Sequence, residues 1–176
     1  MNRSLLLWLP LAVVAFLGGW FIYGLVVPKD DLVHSAMVGN QLPEFVLPPA
    51  TAGIEGLSSR DMADGTPRLL NIFASWCIPC KAEAPHLEAL KKAGAEIDAI
   101  AVRDKPDDVA AFLQEFGNPF RHIGSDSEMA VQLKLGSSGV PETYVIGGDG
   151  KILYQHIGDI RAEHVPMLLE KLRSAK

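Results

Sequence analysis

A nearly unbroken apolar run, residues 68–75 (RLLNIFAS), leads straight into Trp76-Cys77-Ile78-Pro79-Cys80, and a stretch of helical composition follows to about residue 93. A run of this kind forms a strand buried on both faces. The turn that ends it therefore sets two cysteines at the mouth of a helix. Cys77 stands at the helix N-terminus, where free N–H groups and the positive end of the dipole stabilise a thiolate. Cys80 follows one turn inside. Pro79 stiffens the first turn without costing a needed hydrogen bond. The thiolate is the nucleophile of disulfide exchange, so one cysteine is set to attack and the other to resolve.

Other uses of such a pair fit less well. A static disulfide across so short a loop restricts the unfolded chain little. Zinc needs two more ligands, and His86, His122, His156 and His164 show no second paired spacing. Covalent haem attachment needs a histidine after the second cysteine, and Lys81 stands there. A peroxidatic cysteine needs proline and a hydroxyl residue where this chain has Leu70 and Ala74. The chain has 16 basic against 21 acidic residues, a formal charge of −5, and 7% aromatic residues, which argues against broad nucleic-acid binding. A CxxC between a buried strand and a helix signals thioredoxin-like redox chemistry.

Residues 5–27 are of different material, 23 uncharged positions rich in Leu, Val, Ala and Phe. Roughly 20 apolar residues span a bilayer. Arg3 precedes the run, and Trp8, Trp20 and Tyr23 lie towards its ends, so the expectation is a single-pass inner-membrane anchor with a cytoplasmic N-terminus and a periplasmic domain. A cleaved signal peptide is the alternative. Its core is usually shorter, about 7–15 residues, although Ser35-Ala36 keeps a cleavage site open.

The expected organisation is an anchor over 1–27, a tether over 28–42 and one domain over 43–176. Within the domain, residues 43–49 read as a short β-like run and 50–66 as loop or hairpin. A second strand is expected over 96–103, a helix over 106–116 opened by Pro106 and two acids, a short strand over 120–123 and a short helix over 125–133. Strands over 142–147 and 151–157 flank Gly148-Asp149-Gly150, a strong hairpin signal. An amphipathic helix over 161–173 closes the chain. This order implies an α/β fold with a mixed sheet and helices on its faces.

Three blocks carry a resemblance. Residues 71–80 (NIFASWCIPC) with Glu83 and Pro85 look like the active-site block of membrane-anchored thioredoxin-like proteins. Residues 117–120 (GNPF) and 139–146 (GVPETYVI), then Gly150-Lys151-Ile152 and residues 155–158 (QHIG), resemble the CcmG/DsbE family of cytochrome c maturation. The likeness runs from about residue 39 to 175, plus the anchor. It implies a thioredoxin-like fold and a periplasmic reductase that keeps the cysteines of apocytochrome c, or of a partner thiol protein, reduced for haem ligation. Electrons would come from a CcdA- or DsbD-type transmembrane donor, and the protein would hold no cofactor. A more general disulfide reductase, or one serving copper-site assembly, is the alternative.

The resemblance also assigns roles. Cys77 carries over as nucleophile and Cys80 as resolving thiol. Pro141 matches the position of a cis-proline beside the disulfide, which would expose the backbone near Val140 as an edge for an extended substrate. Ordinary thioredoxins hold a buried Asp six residues before the nucleophile; Asn71 stands there and cannot titrate. A carboxylate doing that work must come from elsewhere; the resemblance offers Glu83 and Glu142, both matching family acids near the active site, and partial burial would raise such a pKa. Trp76 is expected to pack beside the disulfide, and Lys81 and His86 to lie at the surface. Two departures, Ser137-Ser138 for an aliphatic-aromatic pair and Gly147 for an Asp, bear on partner choice.

Overall fold

The computed structural model describes residues 3–26 and 35–175. The chain divides into two units, Met1–Leu32 and Val33–Lys176. In the first, α1 (Arg3–Val26) is a single helix with Pro10 inside it. The expected membrane span, with its topology and location, is corrected here: among the described residues no helix is long and apolar enough to cross a membrane.

The second unit is a five-stranded mixed sheet with helices around it. Its elements are β1 (Val46–Leu47), β2 (Leu57–Ser58), a 3-10 turn (Ser59–Met62), β3 (Arg68–Phe73), α2 (Ile78–Lys92), β4 (Ile97–Val102), α3 (Pro106–Phe116), β5 (Ile123–Asp126), α4 (Ala130–Lys134), β6 (Glu142–Ile146), β7 (Ile152–Ile157) and α5 (His164–Ser174). The sheet order is β5-β4-β3-β6-β7. β3, β4 and β5 run parallel, while β6 and β7 join antiparallel. β3, β4 and β6 are buried at every position, as central strands covered on both faces must be. The hairpin between β6 and β7 turns on Gly150, whose φ of +81° a side chain would resist.

Two expectations shift. Residues 123–126 form a strand where a helix was expected from 125, and only residues 130–134 become helical. Tertiary partners decide this: Ile123 N–H donates to Glu55 O at 3.0 Å and Ser125 N–H to Pro48 O at 2.8 Å, so the segment before β2 closes the outer edge of β5. Of the expected tether, residues 28–34 lie outside the described residues. From residue 35 the backbone is tied down, with Gly39 N–H donating to Ile152 O (2.7 Å) and Leu42 N–H to Gly150 O (2.9 Å).

Packing beneath the CxxC turn is aromatic. Phe73, the last residue of β3, stacks on Phe120 (centroids 5.2 Å, 25°) and tilts against Phe112 of α3 (5.3 Å). The GNPF block supplies that ring. Gly117 ends α3 at a φ of +93°, Asn118 Oδ1 accepts the Phe120 N–H at 3.1 Å, and Lys91 Nζ donates to the Asn118 carbonyl at 2.7 Å.

The opposite end of β3 holds a buried charge. Arg68 is fully buried. Its guanidinium donates to Asp61 O (2.7 Å), Thr66 O (3.2 Å), Asp64 Oδ1 (2.5 Å) and Asp98 Oδ2 (3.3 Å). Asp98, equally buried, is also 2.9 Å from His122 Nδ1. The Arg68 hydrogen bond holds the exposed Asp64 carboxyl down at about 2.

Candidate active site

Cys77 is the N-cap of α2, with extended backbone (φ −82°, ψ 112°). Its Sγ accepts the Cys80 N–H at 3.1 Å, so an otherwise unpaired helix-end donor points at sulfur. The two cysteines are joined as a disulfide with Cα atoms 5.3 Å apart. Pro79 sits in the first turn. Ser75 fixes the approach: its N–H and hydroxyl both bind the Asp104 carboxylate, at 2.5 and 2.7 Å. Trp76 is 57% exposed, and its indole N–H donates to the Arg103 carbonyl at 3.2 Å. Ile78 is 78% exposed beside it. A cleft of about 320 Å³ opens next to Trp76, between Ser75, Lys81, Asp108 and Phe116. Lys81 and His86 are half-buried.

The Val140–Pro141 bond is cis. Pro141 is buried and Val140 half-buried. Among the described residues neither the N–H nor the C=O of Val140 meets an intramolecular partner, whereas Pro141 O accepts the Gly158 N–H at 3.0 Å.

The two acids differ sharply in surroundings. Glu83, one turn after Cys80 on α2, is fully buried. Its Oε1 accepts from Asn71 Nδ2 and its Oε2 from the Ile160 N–H, each at 3.0 Å. Burial pushes its pKa up to about 7; those two hydrogen bonds oppose the rise and the nearby Asp159 charge adds to it. Asn71 also donates to Thr143 Oγ1 at 3.0 Å, its partner across the β3–β6 ladder. Its Oδ1 is buried without a partner among the described residues.

Glu142 is also buried but fully satisfied. Oε1 takes the Ser138 N–H (2.8 Å) and hydroxyl (2.7 Å), and Oε2 takes the Tyr144 hydroxyl (3.0 Å) and Gln155 Nε2 (2.9 Å). Burial, and then the Glu142 charge, push the Tyr144 pKa above its ordinary value. The arrangement ties the loop before Pro141 to β6 and β7. Sequence reasoning missed Gln155, Tyr144, Thr143 and Ser138 as members of this constellation. The available signal was polar residues in strands at inward positions, Tyr144 lying directly opposite Gln155.

The geometry is thus a redox-active pair at a helix mouth, a free backbone edge at a cis-proline, and a buried carboxyl that titrates near neutrality. The Redoxin family model matches residues 37–172. Over 167 residues the chain is 34% identical to the thiol:disulfide interchange protein HelX of Rhodobacter capsulatus, covering 95% of this chain and 94% of that one. The chain belongs to the DsbE family of thiol:disulfide interchange proteins. The DsbE of Vibrio cholerae is 33% identical over the full length of both chains. A crystal structure from Chlorobium tepidum, described as a DsbE, superposes with a TM-score of 0.62 at 27% identity, covering 82% of this chain and 99% of that one. As a DsbE-family member the chain is a thiol-disulfide oxidoreductase of thioredoxin-like fold, carrying its CxxC pair at Cys77 and Cys80.

Glu83 makes a pH prediction. Its pKa is raised from 4.5 to about 7 on folding, so the folded state binds more protons than the unfolded chain between those values. Its contribution is most favourable below pH 4.5 and declines as pH rises to about 7, by about 3 kcal/mol for this group alone. Urea titrations across that range should show the decline in the wild type and its loss in Glu83→Gln. An equal slope in both proteins contradicts the assignment.

Proposed function

We propose that this DsbE-family chain is the reductant of the cysteine pair of apocytochrome c, or of a thiol protein that hands that pair on, before haem attachment. The observation that carries this reading is the ordered occurrence of GNPF and GVPET. Electrons reach Cys77 and Cys80 from a CcdA- or DsbD-type donor, through the same exchange chemistry.

In the reduced protein the Cys77 thiolate attacks one sulfur of the substrate disulfide. The Cys77–substrate bond forms, the substrate S–S bond breaks, and one substrate cysteine leaves as a thiolate that takes up a proton. Cys80 then gives up its proton and attacks Cys77 Sγ, which releases the second substrate cysteine. Two electrons have passed to the substrate and the chain is left as the Cys77–Cys80 disulfide. Supporting this order, Cys77 is the helix N-cap and Cys80 lies in the first turn of the same helix.

Glu83 is the acid we assign to the Cys80 proton. It lies three residues on along the same helix face, and its pKa of about 7 suits both accepting and returning a proton. Glu142 accepts four hydrogen bonds already, which favours a holding role. The substrate lies as an extended strand against Val140 beside Pro141, with Trp76 and Ile78 offering exposed apolar contact and Pro79 keeping the attacking turn rigid.

A Cys80→Ala protein tests the reading, since its mixed disulfides cannot resolve. Adducts recovered from the cells that make it and identified by mass spectrometry should be dominated by apocytochrome c or its thiol handler. A copper-assembly thiol protein, or a scatter of unrelated chains, moves the substrate assignment elsewhere. An absence of adducts overturns Cys77 as nucleophile.

A further inference from the structure

The loop before Pro141 is held from two sides by buried side-chain amides. On one side Gln132 Nε2 donates to the Gly139 carbonyl (3.1 Å) and to Ser137 Oγ (3.2 Å), and the Ser137 hydroxyl donates to the same carbonyl (3.0 Å). Gln132 is itself fixed, because Asp126 Oδ2 accepts the backbone N–H groups of Val131 (3.0 Å) and Gln132 (2.8 Å). On the other side Gln155 Nε2 donates to Glu142 Oε2 (2.9 Å), and Glu142 Oε1 captures the Ser138 N–H and hydroxyl. The Ser35 N–H donates to Gln155 Oε1 at 2.7 Å, which settles which way that amide faces. Gln132 and Gln155 are 6% and 4% exposed.

The consequence is selective. The Ser138 N–H and the Gly139 C=O are both engaged by protein groups. Val140, next in the chain, keeps its own N–H and C=O unengaged among the described residues. A loop that had to order itself on binding would lose backbone entropy at each residue it fixed. One already held does not, and binding is tighter for it.

We propose that Gln132 and Gln155 are positioning residues for disulfide exchange. Acting through Ser137 and Glu142, they hold the polar backbone groups of Ser138 and Gly139 and present Val140 as a rigid pairing edge for an extended cysteine-containing polypeptide. This rests on the reading of Val140 as the substrate edge. Neither glutamine touches the reacting sulfurs in this scheme, so the effect belongs to peptide binding.

The test measures reduction of two disulfides by the full reduced chain: a peptide with its cysteine in an extended segment, and hydroxyethyl disulfide, which has no backbone to pair. For Gln132→Met and Gln155→Met, similar in volume but without the amide donor, the ratio of the two kcat/KM values should fall about fivefold, the size of one net hydrogen bond. The fall should come mainly through KM for the peptide. If Gln132→Met does not fold, Ser137→Ala removes one of the two donors to Gly139 O and reads the same ratio. An unchanged ratio in the folded variants overturns the proposal. Wild-type protein should also favour the peptide over its analogue N-methylated at the residue that pairs with Val140. If it favours neither, the edge reading fails and the proposal with it; if the preference persists in both glutamine variants, the proposal alone fails.

Discussion

Replacing Cys77 by serine is expected to abolish disulfide exchange, while replacing Cys80 by serine stops turnover but still allows one covalent event per molecule. The asymmetry follows from position. Cys77 caps α2 and receives the Cys80 N–H at 3.1 Å, so its sulfur is the one favoured as a thiolate at the helix end. Cys80 lies inside the first turn of the helix; both cysteines are buried, at 4% and 1% exposed, so the N-cap position rather than exposure separates them. Insulin-reduction turnover should fall to the uncatalysed background in both variants. Reaction with a disulfide that releases a coloured thiol should separate them, giving one equivalent of thiol for Cys80→Ser and none for Cys77→Ser. A full equivalent from Cys77→Ser reverses the assignment of nucleophile.

The second large effect lies at the other end of β3. Arg68→Met should destabilise the domain by about 3–5 kcal/mol, the cost of leaving a buried charge without its partner. Asp98, fully buried beside it, would keep only His122, and the Asp61 and Thr66 carbonyls would lose their donor. Urea midpoints at neutral pH measure the loss. The double variant Arg68→Met with Asp98→Leu should recover a large part of it, since apolar replacement of both members of a buried pair is often close to neutral. A single-variant loss under about 1 kcal/mol would mean that the pair is solvated well enough to be dispensable.

These two sites differ in how openly the sequence displays them. The strand, turn and helix around Cys77 are legible because local signals agree there: an apolar run, a CxxC and a proline in the first turn. The Gly148-Asp149-Gly150 hairpin is legible for the same reason. Arg68 reads as the polar start of an apolar run, and nothing local announces that four acceptors from residues 61 to 98 converge on it. The composition of residues 125–133 suggests a helix, but backbone groups of Pro48 and Glu55 pull residues 123–126 into the sheet, a partnership between distant segments that no window of sequence contains. Glu83 and Glu142 both stand out as acids near the site. Only the fold separates one with two donors and a pKa of about 7 from one whose oxygens are fully engaged.

The closed margin of β5 matters for a thiol-disulfide oxidoreductase that meets extended polypeptide. Ile123 spends its N–H on Glu55 and its C=O on Ala50, and Ser125 spends its N–H on Pro48. An open strand there would be sticky toward any extended polypeptide, holding it by backbone alone. With that margin occupied by the chain itself, an unfolded visitor finds no foothold on β5.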